Sequence, residues 1–155
     1  MLIYLDIDGV MVRANSWKRP EMLEDGFYAF SSRAVKALKK LIHFSNAEIV
    51  LTTSHKNRYS INEWHSIFNR RNIKVNKISR LPENISFFNR KEELLKWFNK
   101  DRLSENFIII DDDKSLNGLP LVLKDKLIQT SASVGLTEIL VDKAIKKIEN
   151  NYEIV

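Results

Sequence analysis

The sequence predicts an α/β fold in which helices cover both faces of a central, mainly parallel sheet. Strand-like and helix-like segments alternate along the 155 residues, and this alternation is typical of parallel sheets. Two short apolar runs, at residues 2–5 and 107–110, each end abruptly in aspartates. Runs of this length indicate buried strands, whose carboxyl ends share one edge of a parallel sheet. The length suits one domain, so we expect residues 1–155 to form a single domain.

The first half of the chain is predicted to contain three strands and two helices. The strands are expected at residues 2–5, 47–52 and 73–78. The last of these is predicted because apolar and polar residues alternate there. Apolar residues recur on one face of a helix predicted at residues 32–44. Ser60 and Glu63 have the spacing of a capping box, which predicts a helix to about Arg71.

The second half is predicted to contain two helices and two strands. Asn89 is a cap-like start for the first helix, and Thr137 is expected to cap the last. The residues expected to face inward are Leu94, Leu95 and Phe98 in the first helix, and Leu140, Val141, Ala144, Ile145 and Ile148 in the last. Residues 107–110 form the most apolar strand, which is therefore expected near the centre of the sheet, and a shorter strand is expected at residues 126–130.

Composition and charge narrow the class of protein. The chain has no cysteine, which excludes disulfides and thiolate metal sites and indicates a reducing cytoplasm. Asp6 and Asp8 interrupt the N-terminal apolar run too early for a signal peptide, and no apolar stretch is long enough to span a bilayer. We therefore expect a cytoplasmic protein without a membrane partner. The net charge of +5 favours anionic partners such as nucleic acid, although the excess is small for this length.

Carboxylates gather at the ends of the two apolar strands. Asp6 and Asp8 follow the first strand, Gly9 then lets the chain turn sharply, and three aspartates follow the other strand at residues 111–113. If the two strands are neighbours, these like charges need compensation, and an all-oxygen ligand set suits Mg²⁺. The alternative for the three consecutive aspartates is a solvated turn or a helix cap. Two such strand ends in one small domain weaken that alternative.

Hydroxyl and basic side chains are expected at the same edge. Thr52 and Thr53 end the second predicted strand, where their hydroxyls either hydrogen-bond an anionic oxygen or cap the next segment. Arg90 and Lys91 lie at the start of a helix, where a positive charge opposes the helix dipole. A cation near carboxylates could hold a phosphoryl oxygen, although basic residues at such positions are also common without any role.

In this order, the segments LDIDGV, VLTTS, a basic residue and IIIDDD resemble the four motifs of the haloacid dehalogenase-like (HAD) phosphohydrolases. The resemblance extends to the small HAD-like domains of Swiss-army-knife RNA-repair proteins. The matching positions are Phe30, residues 47–50, Arg90 to Leu94 with Trp97, residues 111–113 and Gly135 to Thr137. The resemblance therefore covers nearly the whole chain. It departs after the hydroxyls, where relatives often carry Trp-Arg and this chain has His55 and Lys56.

The resemblance implies a Rossmann-like three-layer α/β/α sandwich and a phosphatase mechanism. It implies that Asp6 is the nucleophile that forms an aspartyl-phosphate, and that Asp8 protonates the leaving alcohol and later deprotonates water. It also implies Mg²⁺, held by Asp6, the main-chain carbonyl of Asp8, and Asp111 or Asp112. The residues expected to bind the phosphoryl group are Thr52, with Thr53 as the alternative, and Arg90, with Lys91 as the alternative.

Loop lengths bear on the substrate class. Many relatives carry a cap domain, but the spaces at residues 10–31 and 54–89 are too short to fold one here. Residues 13–26 could form a flap over the site or an ordinary surface loop. The site is therefore expected to be open, which suits large substrates such as nucleic-acid ends or phosphoproteins, or small ones if a partner closes the cleft. Nucleic-acid ends or nucleotides are the favoured substrates. His55 lies near the expected edge of the site and could touch the substrate.

Basic residues at and after the end of the Ser60 helix also bear on a nucleic-acid substrate. They could form a basic surface that guides a polynucleotide, or merely a solvated edge, because no aromatic stacking pattern accompanies them. They are Arg70, Arg71, Lys74, Lys77 and Arg80.

Two other functions stay open: a small-metabolite phosphatase or phosphotransferase, and a non-catalytic HAD-like binding module. The second is disfavoured because a binding module needs no general acid two residues after a nucleophile.

Overall fold

Five parallel strands form the central sheet of this protein, whose computed structural model describes residues 1–14 and 19–153. The strands are β1 (Leu2–Leu5), β2 (Glu48–Leu51), β3 (Ile78–Arg80), β4 (Phe107–Asp111) and β5 (Leu127–Gln129). Their order is β3-β2-β1-β4-β5, and every neighbouring pair is parallel. The chain therefore adds β2 and β3 on one side of β1 and then crosses to add β4 and β5 on the other side.

Helices cover both faces of the sheet. They are α1 (Ser32–Ser45), α2 (Ile61–Arg70), α3 (Arg90–Trp97), α4 (Lys100–Leu103), α5 (Leu121–Lys124) and α6 (Glu138–Glu153), with a short 3-10 helix at Lys114–Gly118. Alternate strand residues such as Ile3 and Ile49 pack with α1, α2 and α6. Their neighbours Tyr4 and Val50 pack on the other face with residues of α3 and α5. This is a Rossmann-like three-layer α/β/α sandwich, as predicted.

Local sequence signals predicted most of the strand and helix boundaries correctly. The strand at residues 2–5 has the predicted bounds. The capping box that begins α2 is complete, because the Glu63 backbone N–H donates to Ser60 Oγ and the Ser60 N–H donates to Glu63 Oε1, at 3.1 and 3.0 Å. The backbone N–H of Leu140 donates to Thr137 Oγ1, so Thr137 caps α6 as expected. The apolar strand β4 is interior, although β1 occupies the middle of the sheet.

The predictions for β3 and for one residue of α3 were wrong. The strand lies at Ile78–Arg80 rather than at residues 73–78. Asn72 leaves α2 in a left-handed conformation, and Ile73 then fills the core from a turn, so apolar alternation arose without strand pairing. Leu95 was expected to face inward but exposes 42% of its surface. Only Leu94 is buried within the short helix α3, and Leu95, one position later, is turned away from the sheet.

The expected basic surface after α2 is interrupted because Arg71 is buried. Its guanidinium donates to both carboxylate oxygens of Asp25 and to the carbonyls of Phe27, Tyr28 and Ile67. Arg71 therefore fastens the turn before α1 to the end of α2. Arg80 is also internally bonded, since its Nη1 donates to the carbonyls of residues 56 and 59. The exposed residues Arg70, Lys74 and Lys77 therefore form a solvated edge rather than a continuous basic surface.

The described residues carry no cap. Between β1 and α1 they form turns, and between β2 and α3 they form only α2, β3 and their loops. Residues 15–18, part of the segment for which a flap was considered, lie outside the described residues. The described part of that segment ends in a turn, which backbone hydrogen bonds of Leu23 with Gly26 and Phe27 close. The Asp25 carboxylate in this turn accepts a hydrogen bond from Arg71. None of the described helices is both long and apolar enough to cross a membrane.

Asp25→Asn is expected to destabilise the protein in a pH-dependent way. The hydrogen bonds from Arg71 lower the pKa of Asp25, so the charged carboxylate stabilises the fold above the unfolded-state pKa. At pH 7 we expect the substitution to reduce the free energy of unfolding by about 1–3 kcal/mol. This difference should shrink below about pH 4 and vanish as the pH falls through the lowered pKa. Urea denaturation at pH 7, 5 and 3 measures it.

The matched control is Glu24→Gln, because Glu24 is exposed and pairs only loosely with Arg70, at 3.6 Å. We expect no measurable change for this variant. A difference between wild type and Asp25→Asn that stays constant from pH 7 to pH 3 would contradict the role given to the Asp25 charge.

Candidate active site

The candidate site lies where the strand order reverses. The chain runs from β1 to β2 on one side and returns to β4 on the other, so the carboxyl ends of these three strands form the crevice in which α/β folds bind ligands. The backbone N–H of Asp6 donates to the carbonyl of Ile110, and that of Thr52 donates to the carbonyl of Leu5, at 3.1 and 3.0 Å. These bonds align Asp6, Thr52 and Asp111 side by side at the carboxyl ends of their strands.

Three carboxylates converge in this crevice. Asp6, Asp111 and Asp112 each offer an oxygen within 4.8 Å of the others. Asp6 exposes only 5% of its surface and Asp111 none, while Asp112 is half-buried. Gly9 makes the approach of Asp112 feasible, because a Cβ at Gly9 would overlap the Asp112 carboxylate. Gly9 also has a φ of +80°, which suits glycine in the turn after β1.

Arg90 is the basic residue that enters the cluster. It is the first residue of α3, whose N-terminus is capped by the Asn89 side chain. Its Nη1 lies 2.5 Å from Asp111 Oδ2, 3.2 Å from Thr52 Oγ1 and 3.5 Å from Asp6 Oδ1. Arg90 therefore contacts both buried aspartates and the threonine hydroxyl at once. Its Nε has no hydrogen-bond partner among the described residues, and the nearest carboxylate to it is Glu93, at 3.6 Å.

Lys91 points elsewhere. Its backbone N–H donates to Ser115 Oγ, and its ammonium lies over Gly118, beside the 3-10 helix. The two threonines are likewise separated. Thr52 Oγ1 faces Arg90, whereas Thr53 Oγ1 accepts a hydrogen bond from the backbone N–H of His55 and so closes the turn after β2. The structure thus brings Arg90 and Thr52 to the aspartates and leaves the polar groups of Lys91 and Thr53 outside.

Asp8 stands apart from the carboxylate cluster. Its side chain exposes 46% of its surface, and its Oδ2 lies 2.8 Å from Nε2 of His55. His55 therefore lies at the edge of the site, where it contacts Asp8. The His55 and Phe27 rings form a T-shaped pair, at 5.5 Å between ring centroids.

A buried ion pair supports the site and was not among the predicted residues. Lys56 exposes 2% of its surface, and its Nζ lies 3.1 Å from Glu93 Oε2. The Lys56 carbonyl also accepts hydrogen bonds from Trp64 Nε1 and Arg80 Nη1. No local signal separates Lys56 or Glu93 from solvated charges, because each lies in a polar segment; only the fold buries them.

The profile of the family described as "HAD domain in Swiss Army Knife RNA repair proteins" matches residues 2–141. The chain belongs to this family. The matched range spans the whole cluster, from Asp6 to Asp112. Among proteins with curated descriptions, none matches the chain. Membership supports a HAD-type hydrolase in general.

The electrostatics of this HAD domain leave excess negative charge in the crevice. Burial, reinforced by the neighbouring Asp111, raises the pKa of Asp6 well above its ordinary value. Burial also raises the pKa of Asp111, although Arg90 opposes this effect. Burial disfavours the charge of Arg90, but Asp111, Asp6 and Glu93 outweigh it and raise the pKa of the guanidinium. Arg90 is shared between Asp6, Asp111 and Glu93, so its single positive charge does not balance the negative charge of the cluster.

The donor set of the HAD domain fits a hard divalent cation. HAD domains generally use Mg²⁺, which prefers oxygen ligands and is commonly bound by one or two carboxylates. Asp6, Asp111 and Asp112 supply such oxygens at one point. The Asp8 side chain is turned toward His55 and is not part of this set. A cation there would compensate the charge that Arg90 leaves unpaired.

Asp6→Asn is expected to stabilise the metal-free HAD domain. The substitution removes a buried charge that repels Asp111, and we expect the free energy of unfolding in EDTA to rise by roughly 1–2 kcal/mol at pH 7. With saturating Mg²⁺ the order should reverse, because a cation that binds only the folded wild type adds to its stability. Thermal denaturation with EDTA and with Mg²⁺ measures both effects.

Asp8→Asn is the matched control, because its carboxylate is half-exposed and outside the cluster. It should show no comparable gain in EDTA. If Asp6→Asn destabilised the metal-free protein as much as an ordinary core substitution does, the charge argument would fail.

Proposed function

We propose that this HAD domain is a Mg²⁺-dependent phosphomonoesterase that acts through an aspartyl-phosphate on Asp6. The observation that carries the proposal is the position of the Asp6 carboxylate, beside the Arg90 guanidinium and level with the Thr52 hydroxyl at the strand-order reversal. Arg90 and Thr52 would bind oxygens of the phosphoryl group. Thr53 and Lys91 are left out, because their polar groups lie at the His55 backbone and at Gly118.

The two aspartates have different surroundings and therefore different roles. Asp6 is nearly fully buried at the cluster, whereas Asp8 is half-exposed at its edge. In the first step an Asp6 oxygen attacks phosphorus, the bond to the leaving oxygen breaks, and Asp8 gives that oxygen its proton. In the second step water attacks phosphorus, Asp8 takes the proton of the water, and the bond from phosphorus to Asp6 breaks. Both aspartates return to their starting states.

Asp6, Asp111 and Asp112 are the side chains that would hold Mg²⁺. The main-chain carbonyl of Asp8 is the further ligand that the family resemblance implies. When bound, the ion offsets negative charge on the phosphoryl group and on Asp6, which would otherwise repel each other. Arg90 alone leaves this charge uncompensated, since it already faces Asp111 and Glu93.

An exposed aromatic residue close to Arg90 in the chain favours a nucleic-acid end as the substrate. Phe87, in the loop between β3 and α3, exposes 92% of its surface. It lies three residues before Arg90, a separation that spans at most about 11 Å. The same loop and α3 enclose a mainly apolar cleft of about 250 Å³, lined by residues that include Leu81, Ile85 and Trp97. Exposed aromatic rings stack on bases without regard to sequence, and the family description names RNA repair proteins.

Asp6→Asn is expected to lower kcat/KM for p-nitrophenyl phosphate by at least about 10³-fold, because the nucleophile is lost. In Asp8→Asn we expect a phosphorylated protein to accumulate with the same substrate, since a good leaving group needs no proton but hydrolysis still needs a base. Intact-protein mass spectrometry with Mg²⁺ detects the added phosphoryl group.

The double variant that combines Asp6→Asn with Asp8→Asn is the control for the site of phosphorylation and should stay unmodified. An Asp6→Asn protein that keeps full Mg²⁺-dependent activity would rule out the aspartyl-phosphate route.

Phe87→Ala is expected to raise KM for a phosphorylated oligonucleotide by about 10-fold, the effect of losing one stacked base. The kinetics with a sugar phosphate should not change, because that substrate has no aromatic ring to stack on Phe87. Steady-state assays on 3′- and 5′-phosphorylated oligonucleotides and on sugar phosphates measure this. The control is Phe44→Ala, a partly exposed phenylalanine on α1.

Preference of the wild type for sugar phosphates would favour the small-metabolite alternative. Tight oligonucleotide binding without hydrolysis of any phosphomonoester would favour the binding module.

A further inference from the structure

The Asp8 carboxylate needs a partner to hold it in one place. Its side chain is half-exposed and lies outside the cluster that Arg90 organises. An exposed carboxylate samples several rotamers, whereas a general acid must meet the leaving oxygen in one geometry. The one side-chain hydrogen bond of Asp8 among the described residues joins its Oδ2 to His55 Nε2, at 2.8 Å.

His55 is itself held from two sides. Its backbone N–H donates to Thr53 Oγ1, and its carbonyl accepts from the N–H of Arg58, so the loop after β2 is a closed turn. The His55 ring meets the Phe27 ring in a T-shaped arrangement, with 82° between the ring planes. This arrangement favours one ring orientation over others.

Phe27 is a rigid support for that ring. It is 1% exposed and packs against Tyr59 and Trp64 with centroid distances of 5.8 and 5.5 Å. The buried Arg71 donates to the Phe27 carbonyl at 3.0 Å, and its guanidinium carbon lies 5.6 Å from the centre of the Phe27 ring. A continuous set of contacts therefore runs from the end of α2, through Phe27 and His55, to Asp8.

We infer that His55 is a positioning residue for the Asp8 general acid, an inference that rests on the proposed phosphatase function. In the tautomer with its proton on Nε2, His55 donates to Asp8 Oδ2 and leaves Oδ1 to carry the transferable proton. That proton passes from Oδ1 to the leaving oxygen as the bond between phosphorus and that oxygen breaks. His55 neither gains nor loses a proton in this step.

The test uses the dependence of kcat/KM on the leaving group. This parameter reports the steps up to departure of the alcohol and excludes hydrolysis of the aspartyl-phosphate. His55→Phe keeps a ring against Phe27 but removes the donor, and His55→Gln keeps a donor of similar reach. Aryl phosphates of increasing leaving-group basicity and one alkyl phosphate form the substrate series. Circular dichroism and melting curves check that both variants fold.

For His55→Phe we expect a loss of about 10²-fold with the alkyl phosphate and of less than about 3-fold with 2,4-dinitrophenyl phosphate, because only the poor leaving group needs the proton. His55→Gln should recover most of the loss. Crystal structures should show one Asp8 rotamer in the wild type and several in His55→Phe.

Two results would overturn the inference, and they are distinguishable. An equal loss with every leaving group, or a change in KM alone, would make His55 a structural or substrate-contacting residue while the phosphatase function stands. A wild-type protein that hydrolyses no phosphomonoester under these conditions would overturn the proposed function and this inference with it.

Discussion

Arg90 holds two buried carboxylates, Asp6 and Asp111, that would otherwise repel each other at the ends of adjacent strands. The pairing of β1 with β4 forces these two side chains together, and burial makes their charge costly. Arg90 offsets part of this charge, and the approach of Asp112 past Gly9 adds more of it. The suitability of the site for a divalent cation follows from this imbalance, because a buried cluster of carboxylates that keeps excess negative charge is stabilised by such an ion. The proposed binding of a phosphoryl group depends on the same ion.

The position of Arg90 depends in turn on contacts beyond the aspartates. Glu93, one turn along α3, faces both the Arg90 guanidinium and the buried ammonium of Lys56. The Lys56 carbonyl ties the same loop to Trp64 and Arg80, on α2 and β3. Ion pairs therefore link α3, which supplies the basic residue, to the loop that follows Thr52. Removing one partner of a buried pair leaves the other uncompensated, so this support is expected to be less tolerant of substitution than a surface ion pair.

Sequence patterns predicted the elements whose signals are local. The apolar runs of β1 and β4, and the capping residues of α2 and α6, identified those elements because burial and capping act over a few residues. The strand at residues 73–78 was a wrong prediction for the opposite reason. Alternating apolar residues fill a core equally well from a turn, as Ile73 does, and only pairing with β2 decides where β3 lies. Arg71 was predicted to be part of a charged surface or edge, since nothing near it in sequence reveals its pairing with Asp25.

The sequence by itself determined which groups are available for chemistry: Asp6 and Asp8 after one strand, and the acids after another. Their residue types and their places at strand ends are local properties, and the family match, over residues 2–141, includes all of them. Only the tertiary structure decided that Arg90 rather than Lys91 faces the aspartates, that Asp112 completes the cluster, and that His55 contacts Asp8. These choices depend on which face of α3 meets the sheet edge and on contacts between residues far apart in the chain, such as the 47 positions that separate Asp8 from His55.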